Sequence, residues 1–123
     1  MDTAPFHPDR LTVWDVVRVD FPFADRVGTK ERPELVVAAL PDHDDFSILW
    51  LAMITSASSG RWPADVAISD LKSGGLARSC VVRTSKISAV DGRLPIRIGS
   101  LTRIDRLAVA ANLRTLLAPA LTP

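Results

Sequence analysis

The chain has 123 residues, of which 47% are hydrophobic, so it is long and apolar enough for one domain with a buried core and is not a disordered chain. Its single cysteine excludes an intrachain disulfide, and no apolar stretch approaches the ~20 residues that span a bilayer, so we expect a cytoplasmic protein away from the membrane. The net charge of +1 hides an asymmetry, because the acids concentrate before residue 46 and the bases after it, where an anionic partner could bind.

The predicted elements are mostly short strands. Alternating residues predict a first strand at 15–21, ended by Pro22. A charged loop at 23–31, two apolar strands at 34–40 and 46–54 separated by a polar turn, and a short strand at 65–68 follow. Two further strands at 79–83 and 86–90 are predicted on either side of Thr84-Ser85. Cys80 stands in an apolar run, which is typical of a core residue rather than a nucleophile.

The last segment changes to a helical period from Ile104 to Leu117. Thr102 and Asp105 match a capping box at its start, and Pro119 is predicted to end the helix. The fold class is therefore mainly β with a terminal helix, a small barrel or sandwich covered by that helix. We expect an N-terminal arm at 1–13, a single domain at 14–118 and a tail at 119–123.

The sequence contains few motifs of known catalytic or binding chemistry. His7 and His43 lack partners at metal-ligand spacing, and no glycine-rich phosphate loop or nucleophile elbow is present. What remains is a group of basic and hydroxyl residues at predicted strand ends, which suits a phosphodiester because guanidinium and hydroxyl groups bind phosphoryl oxygens. The members of this group are Lys30, Arg32, Thr55, Ser56, Arg83, Thr84, Ser85 and Lys86.

Several motifs, taken in order, resemble the MazF/PemK toxin family. They begin with Asp-Val-Val-Arg-Val-Asp-Phe-Pro-Phe at 15–23 and Gly-Thr-Lys-Glu-Arg-Pro at 28–33, before a Leu-Val-Val strand. The later pieces are Ile54-Thr55-Ser56, Gly74-Gly75-Leu76, the segment 79–83, Lys86-Ile87 and the segment 98–101. Each piece alone is common, whereas their order over residues 14–117 is specific.

This resemblance implies an SH3-like barrel of the MazF/CcdB type that forms a homodimer. It also implies a metal-independent endoribonuclease without a cofactor, which cleaves single-stranded RNA by attack of the ribose 2′-hydroxyl and leaves a 2′,3′-cyclic phosphate and a 5′-hydroxyl. The partner implied beside mRNA is a cognate antitoxin from a bacterial type II toxin–antitoxin system, whose flexible tail fills the RNA groove.

By the same resemblance, Arg32 and Thr55 are the catalytic pair, and Arg83 is a third candidate catalytic residue, because it falls where some members use a further arginine. Lys30, Ser56, Ser85 and Lys86 are candidate substrate-binding residues. A carboxylate base is missing, because some relatives have an aspartate where this chain has Ser85. Arginine is a poor base, so three alternatives stay open: Arg32 both binds the phosphate and relays the proton, Arg83 assists it, or the reaction is slow.

Other interpretations stand beside this one. Arg32 could simply pair with Glu31, Glu34 or Asp20, a surface interaction that contributes only ~0–1 kcal/mol. A non-catalytic toxin of the same barrel, such as the CcdB-like toxins that bind DNA gyrase, is the alternative function, and a degenerate relative that keeps only antitoxin binding is another. Among the tryptophans, we expect Trp50 in the core or a dimer interface and Trp62 in an exposed loop that could stack a base.

Overall fold

The computed structural model describes residues 10–22, 29–40 and 47–123. In these ranges the elements are β1 (Asp15–Pro22), β2 (Thr29–Ala39), β3 (Ile48–Ser56), β4 (Asp65–Ala67), β5 (Cys80–Asp91), β6 (Ile96–Ser100) and α1 (Arg103–Leu121). The strands form one sheet in the order β4-β5-β3-β2-β1-β6, and every neighbouring pair is antiparallel. The predicted fold class, mainly β with a terminal helix, is confirmed.

Each central strand contributes apolar side chains to two faces, because successive residues of a strand point to opposite sides. Val16 and Leu35 face each other between β1 and β2 and belong to a cluster that includes Val109 of α1. The next residues along the two strands, Val17 and Val36, belong to a second cluster with Leu11, Val19, Leu49 and Leu51. The sheet is therefore covered by the helix on one face and carries a separate apolar cluster on the other.

The start of α1 differs from the predicted capping box. Thr102 is the N-cap residue but makes no side-chain cap hydrogen bond. Asp105 is buried, and its Oδ2 accepts a hydrogen bond of 2.8 Å from the backbone N–H of Ser69, just after β4. The carboxylate thus connects the first helical turn to the segment after β4, and the same oxygen accepts a longer hydrogen bond of 3.4 Å from the hydroxyl of Thr102.

The end of α1 also differs, because the helix continues through Pro119 to Leu121. A proline removes one backbone donor and crowds the carbonyl four residues earlier. In the final turn few helical hydrogen bonds remain to be lost, so the helix tolerates the proline. The predicted stop at Pro119 is wrong by two residues. None of the helices among the described residues is long and apolar enough to cross a membrane.

Three strand predictions are corrected. The residues at 29–31 belong to β2 rather than to a loop, whereas the rest of that predicted loop, 23–28, lies outside the described residues. The two strands predicted on either side of Thr84-Ser85 are one strand, β5. The sequence reading also missed β6, which pairs with β1.

Close backbone approach explains the two glycine motifs near β6. Gly75 has a φ of +70°, and a Cβ there would collide with the carbonyl oxygen of Ile98. A Cβ at Gly99 would collide with the backbone of the turn at Ser73 and Gly74. The turn and β6 are joined by a hydrogen bond of 2.9 Å from Ser100 N–H to Ser73 O, so side chains at these glycines would force the two segments apart.

Candidate active site

The site is built on one row of residues that crosses four strands. Glu34 of β2 lies opposite Met53 of β3, Met53 lies opposite Arg83 of β5, and Arg83 lies opposite Asp65 of β4. Directly opposed residues of antiparallel strands project from the same face. The row therefore brings together groups that are distant in sequence, on the face of the sheet turned away from the first apolar cluster.

Arg32 and Thr55 stand one step further along the same face. Each lies two residues beyond the Glu34–Met53 pair, Arg32 on β2 and Thr55 on β3, and alternation keeps both on the side of that pair. Both side chains are partly exposed. The Nε of Arg32 is buried and has no hydrogen-bond partner, and none of the ion pairs in the described ranges includes this residue. The sequence had left open an ion pair of Arg32 with Glu31, Glu34 or Asp20, and none of the three pairs forms in the described ranges.

A bulge in β5 lies beside this row. The pairing with β3 passes from Ala52–Ile87 to Met53–Arg83, so residues 84–86 have no partner on β3. Bulges bend a strand and turn its side chains, and they are frequent next to active sites. Here the bulge leaves Ser85 and Lys86 exposed, and it brings the Nζ of Lys86 to 5.8 Å from the ring centroid of Trp62.

Arg83 is occupied by contacts within the protein. Its guanidinium forms a buried ion pair with Asp65, with Nη2–Oδ2 at 3.1 Å and Nε–Oδ1 at 3.2 Å, and also donates to the carbonyl oxygen of Gly60 at 3.0 Å. The guanidinium carbon lies 4.3 Å from the ring centroid of Trp62. These contacts fix the loop between β3 and β4, and the predicted contact of Arg83 with substrate stays a prediction.

The pKa of Asp65 reflects this ion pair. Partial burial acts to raise the pKa of its carboxyl, but hydrogen bonds from Arg83 and from the backbone N–H of Trp62 outweigh it and lower the pKa below its usual value. Nearby, Ala64 has a left-handed φ of 69°, and its carbonyl accepts hydrogen bonds from Thr84 Oγ1 at 2.6 Å and from Asn112 of α1 at 2.9 Å. The loop carrying Trp62 is therefore held by the side chains of Arg83 and Thr84 on β5 and of Asn112 on α1.

Glu34 was predicted from the sequence only as a possible partner for Arg32, and its burial was not predicted. Its side chain is buried among apolar neighbours, with 4% of the residue exposed, and its Oε2 has no hydrogen-bond partner. Burial raises the pKa of Glu34 from 4.5 to about 7, although the charges of Arg32 and Lys86 act to lower it. The sequence signal was an acid on the same strand face as Arg32, inside an otherwise apolar strand.

The other predicted contacts lie at the margin of this row. The hydroxyl of Ser56 is 2.8 Å from that of Ser58 in the turn after β3, and Ser85 and Lys86 are exposed on the bulge. Lys30 belongs to β2 by its backbone, but its side chain lies outside the described part of the structure. Trp62 is 42% exposed as expected, and Trp50 is also exposed, at 45%, in the single chain rather than in the core. Groups of three or more potential metal ligands are absent from the ranges 10–22, 29–40 and 47–123.

The raised pKa of Glu34 predicts how stability changes with pH. The folded protein binds this proton more tightly than the unfolded chain, so the free energy of unfolding falls as pH rises from 4.5 towards about 7. Glu34→Gln keeps the shape and removes the charge. We expect the variant to match the wild type near pH 4 and to be more stable at pH 8, by up to about 3 kcal/mol. Urea unfolding at both pH values measures this, and an equal dependence on pH in the two proteins would contradict it.

The comparisons with known proteins place this geometry in a family. A family model described as the PemK-like, MazF-like toxin of type II toxin–antitoxin systems matches residues 12–117. The chain belongs to this family. The comparison with curated proteins gave no match.

Solved structures of MazF toxins share the fold of this family member. A MazE–MazF complex (Form-II) from Deinococcus radiodurans is 18% identical with a TM-score of 0.61, covering 88% of this chain and 95% of that one. The Form-III complex from the same organism is 18% identical with a TM-score of 0.63, covering 92% and 98%. An endoribonuclease in complex with its cognate antitoxin from a mycobacterial species is 17% identical with a TM-score of 0.62, covering 86% and 93%. The predicted MazF-type barrel is thereby confirmed.

Proposed function

We propose that this PemK/MazF-like toxin is an endoribonuclease that cleaves single-stranded RNA through its 2′-hydroxyl group. The observation that carries the proposal is that the Nε of Arg32 has no hydrogen-bond partner among the described residues and that this cation shares a sheet face with the hydroxyl of Thr55. A guanidinium that is not engaged by a carboxylate is available for a phosphate, which it can bind through two parallel hydrogen bonds. Membership in the toxin family supports the same conclusion.

Arg32 and Thr55 have complementary parts in this reaction. When the 2′-oxygen attacks the phosphorus, negative charge builds on the non-bridging phosphoryl oxygens. Arg32 neutralises this charge, and the hydroxyl of Thr55 donates a hydrogen bond to the same centre. Lys86, exposed on the bulge, adds positive charge at the margin of the site, together with Ser56 and Ser85 as further polar contacts. The products are a 2′,3′-cyclic phosphate and a 5′-hydroxyl, and no metal or cofactor takes part.

Arg83 acts as a positioning residue in this proposal. It clamps Asp65, Gly60 and the ring of Trp62, and so it holds the loop that borders the site. Trp62 remains partly exposed beside Lys86, where an unpaired base can stack on it while the lysine approaches the backbone. This arrangement favours a single strand, whose bases are free, over a duplex.

The partners follow from the family and from the apolar surface. Solved relatives are described as complexes with an antitoxin, and we propose a cognate antitoxin for this cytoplasmic toxin as well. Large apolar side chains remain exposed on α1, including Ile104 at 74% and Leu107 at 56%, and Trp50 is exposed on β3. Such side chains in a single chain suit an interface between copies, and we propose a homodimer.

The direct test is incubation of the purified protein with a long single-stranded RNA in excess EDTA, followed by mapping of the cut sites. Cleavage at a short recurring sequence, unchanged by the chelator, is the expected result. RNA that remains intact with a folded protein would contradict the proposal. Inhibition of DNA gyrase by that same preparation would then favour the non-catalytic alternative.

A further inference from the structure

Two buried polar atoms without hydrogen-bond partners lie close together on β2. Among the described residues these atoms are Nε of Arg32 and Oε2 of Glu34, two positions apart on one strand and on one face. A buried donor or acceptor without a partner is costly, so native proteins contain few of them, and those that persist call for an explanation. A donor and an acceptor without partners, two residues apart on one strand face, suit a ligand that offers both an anion and a hydroxyl group.

The surroundings of Glu34 restrict what can neutralise it. Its strand partners are Val17 on β1 and Met53 on β3, and both are apolar. Arg32 on its own strand and Lys86 on β5 are the charges that act on it. Further along the row, Arg83 of β5 and Asp65 of β4 neutralise each other in their ion pair. The carboxyl therefore lies in an apolar setting, near two cations that are not bound to it.

We propose that Glu34 is the general base that accepts the proton of the attacking ribose 2′-hydroxyl. The inference rests on the proposed ribonuclease function and supplies the proton acceptor that this function lacked. The 2′-oxygen forms its bond to phosphorus as its proton passes to the carboxylate of Glu34. The bond from phosphorus to the 5′-oxygen breaks, water protonates the leaving oxygen, and Glu34 afterwards releases its proton to solvent. Atoms and charge balance without a further reactant.

The other candidates in the described part of the site are poorer bases. Arginine side chains carry hydrogen-bond donors and no acceptor, so neither Arg32 nor Arg83 suits the role of base. Asp65 is bound to Arg83, and its lowered pKa makes it a weak acceptor. Ser85 has no basic group. A carboxyl with a pKa of about 7 is instead matched to proton transfer at neutral pH, as general-base catalysis requires.

The test is the pH dependence of kcat/KM for an RNA that contains one cleavage site. For the wild type we expect the rate to rise tenfold per pH unit below about 7 and to level above it. Glu34→Gln is expected to lower kcat/KM by about 10²–10⁴-fold and to remove this rise. Glu31→Gln is the matched control, because Glu31 lies on the same strand but is exposed, and it should keep the wild-type rate and profile.

Two further measurements separate catalysis from folding. Glu34→Gln should bind an uncleavable RNA with a 2′-deoxy nucleotide at the cleavage site at least as tightly as the wild type does. Glu34→Asp, which keeps the carboxyl, should retain part of the rate and the rise with pH even if the glutamine variant does not fold. A wild-type profile that is flat around pH 7, or a glutamine variant with the wild-type rate, would overturn the inference and leave the ribonuclease proposal intact. Uncut RNA with wild-type protein at every pH would instead overturn the proposed function.

Discussion

Arg32→Ala is expected to lower kcat/KM for RNA cleavage by about 10²–10³-fold, since Arg32 is the group that neutralises charge on the phosphoryl oxygens. The guanidinium makes no ion pair in the described structure, and its Nε is an unsatisfied buried donor. At pH 5, where Glu34 is protonated and gains nothing from the charge of Arg32, loss of the guanidinium should therefore leave the thermal midpoint of unfolding unchanged or slightly raised. The measurement is the initial cleavage rate at pH 8, beside thermal unfolding of both proteins.

Arg103→Ala provides the matched control for this prediction. Arg103 is exposed at the start of α1, so the variant loses the same charge away from the site. We expect it to cleave at the wild-type rate. Equal losses in the two variants would mean that overall charge, rather than a phosphate contact at Arg32, governs activity.

Asp65→Ala is expected to destabilise the protein by about 3–5 kcal/mol, because it leaves the guanidinium of Arg83 buried without its partner. The side chains of both residues are almost fully buried, at 5% exposure for Arg83 and 6% for Asp65. Urea unfolding at pH 7 measures the loss. Combining Asp65→Ala with Arg83→Met should recover much of it, since the uncompensated charge is then gone.

A second ion pair gives the control for this prediction. Asp91 and Arg93 pair at the tip of the turn between β5 and β6, where the arginine side chain is 78% exposed. Asp91→Ala breaks a shorter pair, 2.6 Å against 3.1 Å, that is exposed to water, so stability should change little. If Asp65→Ala is equally mild, the pair with Arg83 does not anchor the loop as described.

The sequence predicted those parts of the fold that depend on local pattern. The alternation in β1 and the helical period of α1 each reflect one side of an element facing a core, whereas the apolar run of β3 reflects burial on both of its faces. β6 was missed because it is a short edge strand in which no residue is buried, so its pairing with β1 leaves little trace in its own residues. The predicted boundaries at 14–118 remain a prediction.

The site was harder to predict, because its geometry depends on which strands become neighbours. Arg32 and Thr55 were identified through the ordered motifs, which carry the family resemblance. The burial of Glu34, in contrast, depends on its strand partners Val17 and Met53. The ion pair of Arg83 depends on Asp65, which lies 18 residues earlier in the chain. No local pattern indicates these partners. They follow from the strand order β4-β5-β3-β2-β1.

The most direct test of the ribonuclease proposal uses two short RNAs that share the mapped cleavage sequence. They differ only in the nucleotide 5′ to the scissile phosphate, which carries a 2′-hydroxyl in one and 2′-deoxyribose in the other. In EDTA the protein is expected to cut only the first, leaving a 2′,3′-cyclic phosphate and a 5′-hydroxyl. Cleavage of the 2′-deoxy substrate at a comparable rate, or products with a 5′-phosphate, would contradict the proposed chemistry.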